Sequence, residues 1–302
     1  MSKTIIILAV GAAVIAGLFF IFWNGQNLEE QEAPAGTETE SEIYAMPERL
    51  NLEIPSEISA PNNPCYSLEV PESVKEARSS FKEKTEQTKA TQEQILDQRE
   101  LPLEIYQGRT DGKFVALTVD TGVGGAEGMD EILKIAKHYN IQLTFFLTGC
   151  WILENPELTQ RIFIEGHSMG NHSLTHANLA SVSDENARKE ISETDRIFND
   201  VLGFTPVFFR KPQYAGGERA NQILAEFNKI SIQGYPNLGD TTGWRSETTP
   251  ADVLVLVKRD TEPGAIWVFH NLSPTDLRVL EDVVRFHLEQ GYKLVKIEDI
   301  LP

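Results

Sequence analysis

Lys113–Gly149 reads KFVALTVDTGVGGAEGMDEILKIAKHYNIQLTFFLTG, and three patterns follow one another in it. KFVALTVD is an apolar, β-branched run of strand length that ends on a carboxylate, Asp120. A glycine-rich turn follows. Met129 to Tyr139 then repeats its apolar residues at helical spacing (Ile132, Leu133, Ile135, Ala136), and QLTFFLTG is a second apolar run. Strand, helix, strand in this order is the unit of a parallel sheet, because two parallel strands need a crossover between them.

The pattern repeats outward. LEIYQG at 103–108 precedes the unit and reads as a strand. HSMGN (167–171) is a weaker strand candidate, and Asp184 to Leu202 is a helix with Ser183 as N-cap. Short apolar runs at 206–210, 229–233, 265–270 and 293–297 alternate with helical patterns at about 217–228, 250–260 and 276–290. About seven such units in some 200 residues point to an α/β fold closing as a distorted (β/α)7–8 barrel over 101–302. In such a barrel, chemistry gathers at the carboxyl ends of strands. Asp120, His172, Arg210 and His270 all stand at or just after such ends.

Residues 1–100 have a different organisation. Thr4 to Trp23 are twenty uncharged, mostly apolar positions after Lys3, enough to span a bilayer core at about 1.5 Å per residue. No small-residue cleavage site follows, so 1–24 reads as an uncleaved single-pass anchor. A basic residue on one side only places the remainder on the extracytoplasmic face of the membrane. Residues 25–70 read as a disordered acidic linker, and 71–100 as a polar helical segment with a thin apolar face (Val74, Ala77, Phe81, then Ile95 and Leu96). The formal net charge of −18 argues against nucleic acid as a partner. Two cysteines, Cys65 and Cys150, either pair in an oxidising compartment or stay free; the sequence leaves both open.

The run Gly166–His176, GHSMGNHSLTH, carries three imidazoles. His172 and His176 are four apart, which on a helical turn puts both rings on one face, near enough to share a metal ion. His167 starts its strand and reads as structural. His138 and His287 fall within helical patterns and read as surface residues, while Ser173 reads as a loop-orienting hydroxyl.

Taken together, these residues resemble the NodB-type polysaccharide deacetylases, carbohydrate esterase family 4. The resemblance covers roughly 102–302. The family's Thr-Phe-Asp-Asp-Gly run is similar to Thr118-Val119-Asp120-Thr121-Gly122, and its His-Ser-x-x-His motif to His172, Ser173 and His176. Its Arg-x-Pro run with an aromatic is matched by Arg210, Pro212 and Tyr214, its Asp-x-x-Asp-Trp by Asp240 to Trp244, and its Leu-x-x-His by Trp267 to His270. TFFLTG and the closing GYKLVKIEDIL are also similar.

The resemblance implies metal-dependent removal of acetyl groups from an extracellular N-acetylated glycan, with peptidoglycan the expected substrate. His172 and His176 would hold a divalent metal, zinc first and Co, Ni, Mn or Fe as alternatives, with Thr121 a weak third ligand. Asp120 would be the base, His270 the acid, and Arg210 the residue that holds Asp120 ionised. A backbone N–H near Tyr214 would meet the oxyanion. Tyr214, Trp244 and Pro212 would line the sugar site.

Two departures bear on activity. Thr121 stands where the family has its third metal ligand, an Asp. Gly243 stands where the family has an Asp that tunes the acid histidine, leaving His270 without that partner unless Asp240 substitutes. The same fold without turnover, serving as a glycan-binding or scaffold domain, is the alternative these departures motivate. Loops Val123–Gly128 and Gly234–Thr242 would set specificity.

Overall fold

The computed structural model describes Cys65 and residues 68–123, 125–236 and 239–302. The anchor at 1–24 and nearly all of the linker at 25–70 lie outside the described residues. Among the described residues, no helix is long and apolar enough to cross a membrane.

Among the described residues, eight strands form one sheet with every ladder parallel: β1 Leu103–Ile105, β2 Phe114–Asp120, β3 Thr144–Leu147, β4 Ser168–Asn171, β5 Phe208–Phe209, β6 Ile230–Ile232, β7 Ala265–His270 and β8 Lys293–Leu294. Their order is β1-β6-β5-β4-β3-β2-β7, with β8 also on β2. β2 is the axis of this arrangement. It pairs along Val115–Asp120 with β7 and along Thr118–Asp120 with β3, which explains its unbroken apolar run.

The expected barrel forms as a curled sheet whose outer strands, β1 and β7, share no ladder. Chain leaving β6 crosses to β7 instead and meets it at two single bridges, Tyr235 with Ile266 and Asp240 with Val268. Closure thus runs through a rim segment.

The N-terminal polar segment folds as α1 Glu72–Ala77, a short 3-10 turn and α2 Lys82–Asp97. Its thin apolar face is used: Val74, Phe81 and Ile95 are buried, and Gln160 donates to the Val74 carbonyl. The attachment starts earlier than residue 71, because Val70 and Cys65 are also buried. Cys65 is disulfide-bonded to Cys150 across 85 residues of sequence, which decides between the two cysteine states left open above.

The helical crossovers are α3 Met129–His138, α4 Gly149–Glu154, α5 Pro156–Ile164, α6 Asp184–Leu202, α7 Gly217–Glu226, α8 Pro250–Asp260 and α9 Pro274–Glu289, before a final turn α10 Ile297–Ile300. α6 matches its expected span. Ser183 accepts from the Asn186 N–H, Gly203 ends the helix at a left-handed φ of 80°, and Ile191, Ile197, Phe198 and Val201 face the core. By contrast, α4 and α5 were not expected. Asn155 and Pro156 split that stretch into two short helices whose period is hard to see.

His287 corrects its surface reading, for it is 0% exposed. It lies on the face of α9 that carries Val283 and Val284. Its Nδ1–H donates to the Val283 carbonyl at 2.8 Å, and Nε2 accepts from Thr261 at 3.1 Å. Buried His167 accepts the Leu143 N–H on Nδ1. Burial lowers both pKa values to about 4, against the carbonyl at His287 and against Glu165 at His167.

Below about pH 6.5 the unfolded chain protonates both imidazoles while the folded chain protonates neither until about pH 4. Stability is therefore full above that window and falls with falling pH inside it, by about 1.4 kcal/mol per pH unit for each histidine. Urea unfolding between about pH 7.5 and 5 should show this decline, and His287→Gln should lessen its slope by one histidine's share. An unaltered slope in the variant would contradict the assignment.

Candidate active site

Asp120 is the last residue of β2 and Thr118 precedes it on the same side of the strand, so both side chains enter the barrel. Arg210 follows β5 directly, with its N–H bonded to the Asn171 carbonyl. Its guanidinium is 0% exposed. Nη1 donates to Asp120 Oδ1 at 2.8 Å and to Thr118 Oγ1 at 2.6 Å, Nε donates to the Ile232 carbonyl at 3.2 Å, and the group stacks on Phe146 at 4.0 Å. Thr118 Oγ1 in turn donates a hydrogen bond to the Trp267 carbonyl. Burial disfavours ionised Asp120, yet the charge and hydrogen bond of Arg210, with His172 and His270 nearby, hold its pKa below the usual carboxylate value.

The two histidines do not sit on a helical turn, as their spacing suggested. His172 to His176 is irregular chain, bent by left-handed backbone at Ser173 (φ 67°) and His176 (φ 61°). Side chains brace the bend. Asn171 Oδ1 accepts the Ser173 N–H, Ser173 Oγ accepts the Ala177 N–H, and Glu190 takes both the N–H and the hydroxyl of Thr175. The rings nonetheless meet edge to face with centroids 5.0 Å apart.

His172 Nδ1 faces the Arg210 carbonyl at 2.9 Å and so carries its proton, leaving Nε2 as the lone-pair nitrogen, 3.6 Å from Asp120 Oδ2. Burial lowers the His172 pKa against the pull of Asp120. It lowers that of His176 to about 3, helped by His172. Both rings are thus neutral at physiological pH, the form that donates to metals.

Thr121 is buried, and its Oγ1 accepts the Thr148 N–H at 3.0 Å. Among the described residues, no group of three His, Cys, Asp or Glu has metal-holding geometry. The donor set fits a divalent cation through two imidazole nitrogens and offers only a neutral, already engaged oxygen as a third.

His270 ends β7 and pairs in register with Asp120. Its partner is a carboxylate the sequence reading missed. Asp276 Oδ2 accepts the His270 N–H at 2.9 Å and lies 3.2 Å from Nδ1. Asp240, suggested as the substitute, instead accepts from Trp244 Nε1 at 3.2 and 3.3 Å. Burial opposes charge on His270, but the Asp276 hydrogen bond and the charges of Asp240, Asp120 and Asp276 outweigh it and raise its pKa. The signal for Asp276 was present as Ser273-Pro274-Thr275-Asp276, but that pattern reads as an ordinary helix start.

Trp244 is 45% exposed, and Pro212 is buried at the start of a short turn. Tyr214 has left-handed backbone, and its N–H is spent on the Lys211 carbonyl, as that of Ala215 is on Pro212. Neither of these two N–H groups is free for an oxyanion. The buried Tyr214 hydroxyl and Arg210 Nη2 have no hydrogen-bond partner among the described residues. Burial, with Asp240 beside it, raises the Tyr214 pKa well above its usual value, so the phenol remains a neutral donor.

Residues 107–232 match the family model described as polysaccharide deacetylase. The wild-type CE4 family pseudoenzyme from Bacillus anthracis is similar at 29% identity and TM-score 0.60, over 67% of this chain and 69% of that one. A mutant of it with restored enzymatic activity is similar at 30% identity and TM-score 0.62, over 67% and 72%. The peptidoglycan-N-acetylglucosamine deacetylase of Bacillus cereus is 33% identical over 166 residues, which is 55% of this chain and 58% of that protein. The chain spans about three fifths of the length of the first curated relatives it matches.

Thr121→Asp places a charged oxygen where the neutral hydroxyl stands. Zinc affinity, read by competition with a chromophoric chelator, should rise roughly tenfold or more. An unchanged affinity would show that position 121 does not reach the ion.

Proposed function

The chain belongs to the polysaccharide deacetylase family, and we propose that it hydrolyses N-acetyl groups on an extracytoplasmic glycan of the peptidoglycan type. One observation carries this reading: the Asp120 carboxylate, fixed by Arg210, faces the lone-pair nitrogen of His172 beside His176. The similarity to the Bacillus cereus peptidoglycan deacetylase supports the substrate class. The anchor read at Thr4–Trp23 and the Cys65–Cys150 disulfide support a place outside the membrane.

Asp120 takes a proton from water as its oxygen attacks the acetyl carbonyl carbon. His270 gives its proton to the departing amine as the C–N bond breaks, and the products are acetate and the free amino sugar. Arg210 keeps Asp120 ionised and aimed. Tyr214, with its unspent hydroxyl, and exposed Trp244 form the walls against the sugar. His172 and His176 would hold the divalent cation, zinc first, which supplies Lewis acidity toward the carbonyl and acidifies water.

A second reading, a glycan-binding domain without turnover, is favoured by Thr121 and by the likeness to the Bacillus anthracis pseudoenzyme.

The full chain supplied with Zn²⁺ or Co²⁺ should release acetate from N-acetylglucosamine oligomers or peptidoglycan. Asp120→Asn or His172→Ala should each cut the rate by about a hundredfold or more. Absence of release with every such glycan and metal, together with peptidoglycan binding that survives chelation and Asp120→Asn, would establish the second reading instead.

A further inference from the structure

Two helices of this chain begin with the same local sequence pattern and use it differently. α8 starts at Thr249-Pro250-Ala251-Asp252. Thr249 Oγ1 accepts the Asp252 N–H, and the Asp252 carboxylate turns back to the Thr249 N–H at 2.9 Å, completing a capping box. α9 starts at Ser273-Pro274-Thr275-Asp276, and Ser273 Oγ likewise accepts the Asp276 N–H at 3.0 Å. Here the box is left open. The Ser273 N–H goes to the His270 carbonyl, and the Asp276 carboxylate points away from its own helix.

That carboxylate is 1% exposed at the residue level and is fully occupied. Oδ2 takes the backbone N–H of His270 and faces ring Nδ1. Oδ1 accepts the Thr241 hydroxyl at 2.6 Å, from the rim segment that closes the barrel. A carboxylate that accepts both the main-chain and the ring N–H of one histidine fixes the rotamer and the tautomer together. Nδ1–H is held, and Nε2 becomes the nitrogen that exchanges a proton.

Gly243 completes the arrangement. A Cβ built there would fall inside van der Waals contact of both Asp276 Oδ1 and its carboxyl carbon. No side chain fits at 243 while Asp276 stays where it is.

We propose that Asp276 is the positioning residue of His270, setting its ring and holding its proton, and that residue 243 is glycine because the Asp276 carboxylate occupies the space its side chain would need. The inference rests on reading His270 as the acid, and it assigns to helix α9 the support that Gly243 cannot give. The charged and titratable groups facing His270 are Asp276 from α9, Asp240 from the rim, Asp120 from β2, and His172 and His176 from the loop after β4. Asp276 alone among them is hydrogen-bonded to the ring.

The test is an NMR titration of the full chain with isotope-labelled histidine, the His270 signal being identified by its loss in His270→Gln. In the wild-type chain, neutral His270 should be the Nδ1–H tautomer and should titrate above the ordinary imidazole value of about 6.5. Asp276→Asn should lower that pKa by about one unit or more. Gly243→Ala should lower it in the same direction while leaving the carboxylate in the chain. An Nε2–H tautomer in the wild-type chain overturns the proposal without any variant being needed. So does an unmoved His270 titration in whichever variant folds. Acetate release is no part of this readout. A chain that hydrolyses nothing yet shows these shifts would refute the proposed reaction and leave the role of Asp276 intact.

Discussion

A guanidinium with no access to solvent organises this molecule. Arg210 lies inside the curled sheet and satisfies its charge on the single carboxylate of Asp120, with Thr118, the Ile232 carbonyl and the Phe146 ring as further neighbours and Nη2 left without a partner among the described residues. A buried ion pair of this kind contributes little net stability, but losing one partner leaves an uncompensated charge, a cost of about 3–5 kcal/mol. The pair therefore fixes geometry more than it adds stability. Through the Arg210 backbone it also reaches His172, since the same residue presents its carbonyl to that ring. The Asp120 carboxylate, the Arg210 clamp and the orientation of His172 form one mechanical unit built on the ends of β2 and β5.

Around that unit the backbone is bent. Ser173, His176, Gln213, Tyr214 and Thr242 are all non-glycine residues with positive φ, and all lie in segments that carry site residues. Such conformations persist only where the surroundings over-determine them. Here the surroundings are identifiable: Asn171 and Glu190 brace the first bend, and Asp240 accepts the Thr242 N–H at the last. The rim is shaped by polar side chains, while the strands beneath it are shaped by apolar packing.

That division explains what could be read from the sequence. Strands and long helices follow hydrophobic period, so β2, β7, α6 and α9 were visible, as was the placement of Asp120, His172, Arg210 and His270 at strand ends. Period carries no information about side-chain brackets. The His172–His176 bend therefore looked helical, and the split between α4 and α5 at Asn155 was hidden. His287 was misplaced because its neighbours on α9 were weighed as a helix pattern without asking which face held the histidine. Asp276 was hidden by its disguise as a helix-capping residue. The disulfide was undecided because pairing depends on proximity in space, not on the count of cysteines.

The seam in the barrel gives the site an uneven support. Every strand end that carries Asp120, His172, Arg210 or His270 is anchored by neighbours on a ladder, whereas the stretch bearing Asp240 and Trp244 is fastened to β7 by lone bridges. A lone bridge imposes no register on what comes before or after it. The sheet therefore fixes the stretch bearing Asp240 and Trp244 less tightly than the strand ends that carry Asp120, His172, Arg210 and His270. The Thr241 hydroxyl on Asp276 and the Thr275 hydroxyl on the Thr248 carbonyl tie this stretch to helix α9, so a change in the seam reaches the carboxylate that holds the His270 ring.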